Sequence, residues 1–458
     1  MSTFDLIYAK LPVFAQNWVI STYGAYWHWL RFGPGYSRFL RGYLDRESFQ
    51  SDEWERWQSQ RLHEVLEGAL STPNYSRTWS KSQKEAALAG RLSDLPLLEK
   101  EPLRLTPRSF LRTDIHPWPT FTFYTSGSTG TPIASIWTLA EIRASLALRE
   151  ARSARWAGVS FREPRSTFSG RMVEPNPESK GPFYRFNVFE KQVYFSPFHL
   201  RPDTASFYLR ALEKHRTRWM TGYAVSYYLL AKFILEQGLD VPPGIKAIIT
   251  TSEKLLPEMR ETMENAFHCR VFEEYSSVEN ALFASECEQG KLHVSPDVAI
   301  VEILRPDGNP CLPGEAGEVV ATSLMRTYQP FIRFRLGDMA MWGKEECPCG
   351  RQMPVIKEVI GRIEDVVVGP DGRQMVRFHG VFINQPNVRE GQIIQESLEL
   401  IRVKVVPTKD FYSKDVQDII HRVHQRLGDK VRVEVERVTE IPRTKAGKFQ
   451  AVISKIKN

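Results

Sequence analysis

Apolar positions recur along this chain in two patterns, one typical of amphipathic helices and one typical of short buried strands. Residues 52–70 carry an apolar stripe at helical spacing and end in a Ser-Thr-Pro-Asn turn cluster, so we predict a helix there. From residue 207 onwards, predicted helices and strands alternate. The helices cover residues 207–222, 225–235 and 256–267, and the strands cover residues 246–250 and 269–272. This alternation indicates a layered α/β domain with parallel strands.

Further along the chain the pattern becomes sheet-like, and more strands are predicted at residues 298–304 and 317–322. We place a domain boundary near residue 361, which gives an N-terminal domain of residues 1–361 and a C-terminal domain of residues 362–458. The C-terminal domain combines one helix, at 414–427, with strands at 366–368, 400–406 and 431–435. The expected fold class is α/β, with a large layered N-terminal domain and a small α+β C-terminal domain.

An aromatic leader occupies residues 1–50. Within it, residues 11–30 contain no Lys, Arg, Asp or Glu and are rich in Trp and Tyr. Their length matches a membrane span, but polar residues such as Gln16, Asn17 and His28 interrupt the apolar run. Such a segment suits packing on a domain surface or resting at a membrane interface. We favour packing, and contact of residues 11–30 with a membrane surface or a partner protein is the alternative.

Length and charge narrow the class of protein. At 458 residues the chain is too long for one ordinary core, so two or three domains are expected. The net charge of +7 is small for this length and suits anionic small-molecule substrates. The sequence has no RNA-binding signature or arginine-rich tail, so we expect no nucleic-acid partner. No secretory signal is recognised at the start, so a cytoplasmic protein is expected, with membrane association left open.

The segment FYTSGSTGTP at residues 123–132 follows a β-prone run and precedes a helix-compatible stretch at 138–157. Glycines let the backbone point successive N–H groups at one spot and hydroxyls add donors, which is how such loops bind phosphate. It is not a Walker loop, because no Gly-Lys-Ser/Thr closes it. A flexible Ser/Gly linker is the alternative, but linkers run longer. The candidate phosphate-binding residues are Thr125, Ser126, Gly127, Ser128, Thr129, Gly130 and Thr131.

Four more segments downstream of this loop carry candidate chemistry. In EEYSSVE at 273–279, the ring of Tyr275 could stack on a purine and the carboxylate of Glu279 could hold Mg²⁺ near phosphates. Asp338 ends the segment RFRLGD, at a turn expected after a strand, where it could accept hydrogen bonds from ribose hydroxyls. GRIED begins at residue 361, and the basic loop PRTKAGK ends at Lys448. Taken singly, each segment equally fits a charged turn or a solvated surface.

In their order and spacing these segments resemble the adenylate-forming superfamily of acyl-CoA synthetases, luciferases and peptide-synthetase adenylation domains. The resemblance covers residues 123–452 and is closest to the phenylacetate–CoA ligase branch and its CapK-like capsule-biosynthesis relatives. It implies a large adenylate-forming N-terminal domain followed by a small, mobile C-terminal lid domain.

The resemblance also implies roles for individual residues. The loop residues 126–131 would bind the β- and γ-phosphates, Tyr275 would stack near adenine, and Ser252 and Glu253 would line the other side of the base. Glu274 and Ser276 flank Tyr275 and are counted with the ATP/AMP-binding residues.

The remaining implied roles concern the metal, the ribose and the lid. Glu279 would hold Mg²⁺, and Asp338 and Arg362 would bind the ribose. Glu364 would be the hinge between the domains. Lys448 would stabilise the charge that passes between carboxylate, α-phosphate and leaving pyrophosphate.

The chain departs from the family pattern at four positions. Ile133 replaces the lysine common after Thr-Pro in the phosphate loop, Ser276 replaces a glycine, and Glu364 replaces the hinge aspartate. The changes at Ile133 and Glu364 keep the backbone donors and the sign of the charge. Val278 replaces a hydroxyl residue and removes one phosphate donor, which is worth on the order of 1 kcal/mol or more.

A second site is predicted from cysteines and a histidine. Cys287 and His293 in CEQGKLH, together with Cys347 and Cys349 in CPC, supply the N and S ligands that a tetrahedral Zn²⁺ site requires. A disulfide between the last two cysteines is geometrically poor. Isolated buried cysteines are the alternative interpretation, and similar clusters occur in relatives of the phenylacetate–CoA ligase branch. We expect a structural zinc.

The implied reaction joins a carboxylic acid, either an aryl or another small acid, to ATP, giving an acyl-adenylate and pyrophosphate. Transfer to coenzyme A is the favoured second step. One alternative is a ligase that passes the acyl group to an amine or a sugar, and another is a degenerate nucleotide-binding scaffold, suggested by Val278. Aromatic stretches at 195–199 and 223–228 are candidates for the acid pocket, although they fit a core role equally well.

Overall fold

A computed structural model gives the structure of the protein. It describes residues 8–456 with the exception of residues 9, 126–131, 170–172, 175, 177, 254, 345, 361–366, 373, 376–377, 383–384, 386, 440 and 442–451. The side chains of residues 374, 379, 380, 389 and 390 also lie outside the description.

The helices of the N-terminal part enclose one large sheet. They are α1 (Val13–Phe32), α2 (Tyr36–Asp45), α3 (Ser51–Leu70), α4 (Pro73–Thr78), α5 (Lys81–Leu88), α6 (Lys100–Leu105), α7 (Leu139–Leu148), α8 (Ala205–Lys214), α9 (Ala224–Gln237) and α10 (Pro257–Phe267). α7 continues into a π-helical turn, Arg149–Ala154. The helix predicted at 52–70 corresponds to α3, whose first turn is closed by a capping box between Gln50 and Glu53.

The strands belong to four sheets among the described residues. The first fourteen are β1 (Thr120–Tyr124), β2 (Ala134–Thr138), β3 (Arg165–Phe168), β4 (Tyr184–Asn187), β5 (Gln192–Phe195), β6 (Trp219–Gly222), β7 (Ala247–Thr251), β8 (Arg270–Ser276), β9 (Phe283–Glu286), β10 (Leu292–Val294), β11 (Ala299–Leu304), β12 (Ala316–Ser323), β13 (Phe334–Trp342) and β14 (Val355–Val359). β1 and β2 form a separate antiparallel hairpin.

The large sheet has twelve strands in the described part of the chain, in the order β11-β12-β13-β14-β10-β9-β8-β7-β6-β3-β5-β4. Strands β5, β3, β6, β7 and β8 run parallel, and the remaining pairs are antiparallel. The predicted parallel α/β arrangement therefore holds for one half of this sheet, from β8 to β5. In such sheets ligands bind beyond the carboxyl ends of the parallel strands.

One predicted helix is wrong in its second half. The stretch 207–222 was expected to be helical throughout, but α8 ends at Lys214 and residues Trp219–Gly222 form β6. All four residues of β6 are buried. A short apolar run of this kind has the same pattern in a buried strand and in a buried helix, so the pattern alone does not separate them.

The C-terminal part builds its own sheet and core. It contains β15 (Val367–Val368), β16 (Gln374–Met375), β17 (Val388–Ser397), β18 (Leu400–Pro407), α11 (Ser413–Leu427), β19 (Arg432–Arg437) and β20 (Val452–Ser454). Four strands pair in the order β19-β18-β17-β20, and α11 contributes Ile419 and Val423 to the core they share. The predicted boundary at residue 361 lies outside the described residues and stays a prediction.

The leader forms α1, and one face of this helix packs on the domain. Asn17 accepts a hydrogen bond of 3.0 Å from the backbone N–H of Phe186 on β4, and the ring of Trp27 lies 5.4 Å from that of Phe121. This packing agrees with the favoured interpretation of the leader. Away from this packing, the helix exposes five aromatic side chains, Phe14, Trp18, Tyr23, Tyr26 and Trp29. Within the described residues, no helix is both long and apolar enough to cross a membrane.

Candidate functional site

The phosphate loop connects the two strands of the β1–β2 hairpin. The Thr125 N–H donates to the Ile133 carbonyl at 3.1 Å, and the Ile133 N–H donates to Thr125 Oγ1 at 2.9 Å, so these residues close the base of the loop. Residues 126–131 themselves lie outside the described residues. The helix predicted at 138–157 is confirmed, because α7 and its π-helical turn cover residues 139–154, and the strand β2 between the loop and this helix was not predicted. Ile133 is buried, so an apolar residue suits this position.

Tyr275 and Asp338, predicted to contact adenine and ribose, lie side by side. The Tyr275 hydroxyl donates a hydrogen bond of 3.0 Å to Asp338 Oδ2. Asp338 was expected at a turn after a strand, and that placement is wrong, because it lies inside β13. There the register with β12 shifts, and Gly337 has a φ of +76°. A bulge of this kind re-aims a side chain, which explains why a strand residue can reach the site.

Glu279 is buried, with 5% of its surface exposed. Its carboxylate makes no hydrogen bond to any other residue that the structure describes. Arg326 donates instead to the Glu279 backbone carbonyl and to Ser135 Oγ, and its guanidinium lies 4.0 Å from the centre of the Trp137 ring. Burial lowers the pKa of Arg326 to about 10. A buried carboxylate without a hydrogen-bond donor suits a bound cation.

Arg326 is a residue that the sequence reasoning missed. It is fully buried and connects β2, through Ser135 and Ile136, to the segment that carries Glu279. Its only signal in the sequence is a cation inside an otherwise apolar and hydroxyl-rich stretch, TSLMRTY. Because a buried guanidinium needs several acceptors, it fixes the hairpin and the Glu279 segment against each other.

Ser277 is a second residue that was not identified from the sequence. Its hydroxyl oxygen is buried and has no hydrogen-bond partner among the described residues. The adjacent Val278, which replaces the expected hydroxyl residue, is 41% exposed. Ser277 therefore carries a hydroxyl without a described partner one position before Val278.

The predicted adenine-lining residues have distinct surroundings. Ser252 follows β7 with a left-handed φ of +74°. Glu253 accepts a hydrogen bond of 3.0 Å from the backbone N–H of Val225 near the start of α9. Glu274 is buried and pairs with Arg149, whose Nε lies 3.0 Å from Glu274 Oε1. Ser276 is the last residue of β8. The structure places these residues around the carboxyl ends of β7 and β8.

Three predicted residues of the C-terminal part are not placed by the structure. Arg362, Glu364 and Lys448 lie outside the described residues. Other residues of the C-terminal part do contact the N-terminal part. Arg201 Nη1 lies 3.7 Å from Asp371 Oδ2, and the Arg426 guanidinium lies 6.0 Å from the ring centre of Phe198. The C-terminal domain therefore rests near residues 198–201.

A cavity of about 410 Å³ opens beside Ser252. One wall is the face of the parallel strands, where Thr167, Tyr194 and Thr221 line it, and the opposite wall comes from α7 and α1. Ligand cavities in proteins fall in this size range. Of the stretches proposed for the acid pocket, only Tyr223 lines this cavity. Phe195 and Tyr227 are fully buried in the neighbouring core, as the alternative interpretation expected.

The four predicted zinc ligands meet at one point. Their ligand atoms all lie within 4.8 Å of one another. Cys287 Sγ is 3.6 Å from Cys347 Sγ, and Cys349 Sγ is 3.4 Å from His293 Nε2. Around a tetrahedral zinc with Zn–S bonds of about 2.3 Å, two sulfur atoms would be about 3.8 Å apart. The donor set and its spacing fit Zn²⁺.

Strand pairing explains how ligands so distant in sequence come together. Cys287 and His293 belong to the β9–β10 hairpin, while Cys347 and Cys349 belong to the loop before β14. β10 pairs with β14, with His293 opposite Val355. The long spacing that separates the two halves in sequence is thereby closed by one antiparallel pair.

Local contacts prepare these side chains to bind a metal. His293 Nδ1 lies 3.1 Å from the Met353 carbonyl, so a proton there leaves Nε2 free for a metal. Burial lowers the pKa of His293, which favours the neutral ring. Burial opposes the charged form of Cys349, but hydrogen bonds from the Arg351 backbone, the Cys347 thiol and the Arg351 side chain outweigh it and lower the pKa of this thiol. Burial raises the pKa of the neighbouring Cys347 thiol to about 12. Zinc binds thiolates and neutral imidazole.

Comparison with known proteins gives sequence relatives for both parts of the chain. Residues 369–455 match the family model of the CapK C-terminal domain. The chain is 26% identical over 311 residues to Protein CapK of Staphylococcus aureus, covering 66% of this chain and 67% of that protein. It is 25% identical over 197 residues to phenylacetate-coenzyme A ligase of Thermus thermophilus, covering 37% of this chain and 44% of the ligase.

The fold also recurs in solved structures. The crystal structure of 2-hydroxyisobutyryl-CoA ligase with 2-HIB-AMP and CoA in the thioesterification state has a TM-score of 0.59 at 21% identity, covering 89% of this chain and 91% of the ligase. The same ligase in its postadenylation state with 2-HIB-AMP has a TM-score of 0.55 and covers 90% of this chain. The fold class expected from the sequence, a large α/β domain with a small C-terminal domain, is confirmed.

Proposed function

We propose that the chain belongs to the adenylate-forming superfamily of AMP-forming ligases and that it activates a carboxylic acid with ATP. The acid carboxylate attacks the α-phosphorus, the bond to the β-phosphate oxygen breaks, and pyrophosphate leaves. The acyl-adenylate then passes its acyl group to a nucleophile. Relatives named as coenzyme A ligases support coenzyme A as the acceptor. An amine or sugar acceptor is the second candidate.

The observation that carries this proposal is the position of the cavity. It opens beside Ser252, at the carboxyl end of β7, while Tyr275 ends the neighbouring strand β8 with its hydroxyl on Asp338. A nucleotide held by Tyr275 and Asp338 would have its α-phosphate near the mouth of the cavity. An acid in the cavity would then present its carboxylate to that phosphate. Holding two reactants in this geometry is a main source of rate enhancement.

Individual residues supply the remaining chemistry of the proposed reaction. Loop residues 126–131 and the Ser277 hydroxyl donate hydrogen bonds to the phosphates, and the Lys448 ammonium stabilises the charge that develops during transfer. Glu279 would hold Mg²⁺, which when bound neutralises the leaving pyrophosphate. The C-terminal domain acts as the lid that brings Lys448 to the site.

We also propose that Cys287, His293, Cys347 and Cys349 hold a structural zinc. The four ligands close the coordination sphere and leave no position for a substrate. The site joins the β9–β10 hairpin to the loop before β14, on the same sheet that carries Tyr275 and Asp338. Zinc would therefore stabilise the scaffold of the active site without taking part in the reaction.

The exposed face of α1 supports a proposal about location: peripheral contact with a membrane. The helix buries polar side chains, Gln16 and Ser21 among them, and exposes Phe14, Trp18 and Trp29 at 65–71% of their surface. Trp and Tyr side chains favour the membrane–water interface because one part of the ring system is apolar and another is polar. We propose that α1 lies along the surface of a membrane that faces the cytoplasm.

The test of the proposed function is ATP–pyrophosphate exchange with a panel of aryl and small aliphatic acids. Acid-dependent exchange that requires Mg²⁺ is expected. Addition of coenzyme A, or of candidate amines and sugars, then identifies the acceptor by the new product. Absence of exchange with every acid, in protein that binds ATP, would favour a degenerate nucleotide-binding scaffold instead.

A further inference from the structure

The cavity beside Ser252 is polar at its far end. There Arg31 of the leader helix α1 donates from Nη1 to Glu190 Oε1 at 3.2 Å, and Arg165 donates from Nη2 to Glu190 Oε2 at 2.9 Å. Both arginines and Glu190 line the cavity, together with Gln192. The carboxylate of Glu190 is thus shared by two guanidinium groups.

The two arginines differ in how many of their guanidinium N–H groups donate hydrogen bonds. Arg165 is buried and saturated at both Nη atoms, which donate to Phe161 O, Glu190 O, Glu190 Oε2 and Gln192 Oε1. Arg31 is 32% exposed, and apart from Nη1 its guanidinium N–H groups have no hydrogen-bond partner among the described residues. Arg165 therefore holds Glu190 in place, while Arg31 keeps donors available to a ligand.

The charge of the cavity is not balanced. Three guanidinium groups line it, those of Arg31, Arg149 and Arg165, while the carboxylates paired with them are Glu190 and Glu274. One positive charge is in excess. An excess charge in a partly buried site is best compensated by a ligand of opposite sign, and guanidinium pairs with carboxylate in a planar, two-pronged geometry.

Strand register gives the distance between the two ends of the cavity. Arg165 pairs with Gln192 at the far end, and Phe168 pairs with Gly222 at the end nearest the proposed nucleotide site. Three residues of strand separate these positions, roughly 10 Å. Between them, the Thr221 hydroxyl is buried without a hydrogen-bond partner among the described residues, and so is the Ser169 hydroxyl one residue beyond Phe168. Trp137, Ile142 and Leu146 are apolar neighbours.

We propose that the acid is a rod-shaped aryl dicarboxylate: one carboxylate is activated at the nucleotide, and the second is bound by Arg31 at the far end of the cavity. This inference rests on the proposed function, which identifies the cavity as the acyl site. Arg31 is then a specificity-determining residue, and the aromatic leader is part of the substrate site. A flat ring fits between the strand face and α7, where the apolar side chains lie.

The experiment compares each diacid with an analogue in which a methyl group replaces the distal carboxylate: terephthalate with 4-methylbenzoate, and 4-carboxycinnamate with 4-methylcinnamate. Binding of each acid to the full-length protein is measured by calorimetry, and pyrophosphate exchange gives KM and kcat. Wild type should favour at least one diacid over its analogue by ten-fold or more in both measurements. Equal or better use of both methyl analogues by wild type would overturn the inference.

Substitutions then test the residue. Arg31→Met should remove the preference for the diacid by raising the KM of the diacid, while the KM of the methyl analogue stays unchanged. Arg31→Lys should restore part of the preference. Arg41→Met, an exposed arginine on α2 that does not line the cavity, is the matched control and should behave as wild type. Glu190 keeps Arg165 as a partner in the Arg31 variants, so they should fold. Equal losses for both acids in Arg31→Met would contradict the assignment.

The two proposals fail separately. Exchange with monocarboxylic acids alone, unchanged by Arg31→Met, would keep the adenylation reaction and remove the diacid. Diacid binding that depends on Arg31, without exchange for any acid, would keep the ligand assignment of the cavity and remove the adenylation reaction.

Discussion

The hydroxyl of Tyr275 lies 3.0 Å from Oδ2 of Asp338, although the two residues come from strands β8 and β13. Three strands, β9, β10 and β14, lie between them in the sheet order. A flat sheet would separate β8 from β13 by roughly 19 Å, because neighbouring strands are about 4.8 Å apart. The sheet therefore curls strongly, and its curl brings two distant motif segments to one point.

This contact gives the first prediction. Tyr275→Phe keeps the ring and removes the hydroxyl, so the KM for ATP should rise about three- to ten-fold, as expected for the loss of about 1 kcal/mol of hydrogen bonding. Asp338→Ala should raise the KM for ATP further, because it would also remove the acceptor for the ribose hydroxyls. In the double variant the effects should not add, since both changes remove the same hydrogen bond. Fully additive effects in exchange assays would mean that the contact plays no part in nucleotide binding.

Lys448 is predicted to act mainly in the transition state. Lys448→Ala should lower the rate of adenylation by about 10²-fold or more while ATP binding changes little, because an ammonium aimed at transferring phosphoryl oxygens contributes most when charge develops. Pyrophosphate-exchange rates measure adenylation, and nucleotide titrations measure ATP binding. Lys445→Ala is the neighbouring control, and an unchanged exchange rate in Lys448→Ala would transfer the role to Lys445.

Glu279 is predicted to bind Mg²⁺. Glu279→Gln keeps the shape of the side chain and removes its charge, so exchange should fall strongly at low Mg²⁺ and recover in part at high Mg²⁺. The recovery is expected because the phosphates alone still recruit the ion. Initial exchange rates against Mg²⁺ concentration for both proteins provide the measurement. Superimposable curves would leave Glu279 as a structural carboxylate.

The cysteine–histidine cluster is predicted to hold close to one zinc per chain in protein purified without chelator, measured by elemental analysis. Cys349→Ser should lower the zinc content and the melting temperature, because a structural metal contributes its binding free energy to folding. Cys269→Ser, at a cysteine outside the cluster, is the control and should keep the zinc. Zinc-free wild-type protein with cluster thiols that alkylate readily would exclude the site.

The exposed face of α1 is predicted to bind lipid vesicles. Replacing Trp18 and Trp29 with serine removes two large exposed aromatic side chains and should reduce sedimentation with vesicles by several-fold, while exchange activity stays unchanged. Leu105→Ser and Trp118→Ser, at exposed apolar positions far along the chain, provide the matched control. If wild type stays in solution with every vesicle composition tested, the membrane proposal fails.

Local pattern was sufficient for much of the fold. The helix at α3, the helix α11 and the strands β7 and β12 were predicted within one or two residues, because each carries its own periodicity and its own turn signals. Residue types in the sequence also indicated candidate chemistry for the phosphate loop, Tyr275, Asp338 and the Cys/His set; the structure brings the four Cys and His side chains together, and the roles stay predictions. Local pattern failed at β6, where a short run has no period that separates strand from helix, and it left β2 without a prediction.

Tertiary structure decided what lies together. The pairing of β10 with β14 unites the halves of the metal cluster, and the curl of the sheet brings Tyr275 to Asp338. Only burial reveals Arg326 as the link between the hairpin and Glu279, and only the packing of α1 places Arg31 in the cavity. These relationships depend on strand pairing and close packing between residues far apart in sequence. A local pattern of apolar and polar positions does not specify which distant residues will be neighbours, so these contacts are defined only in the folded chain.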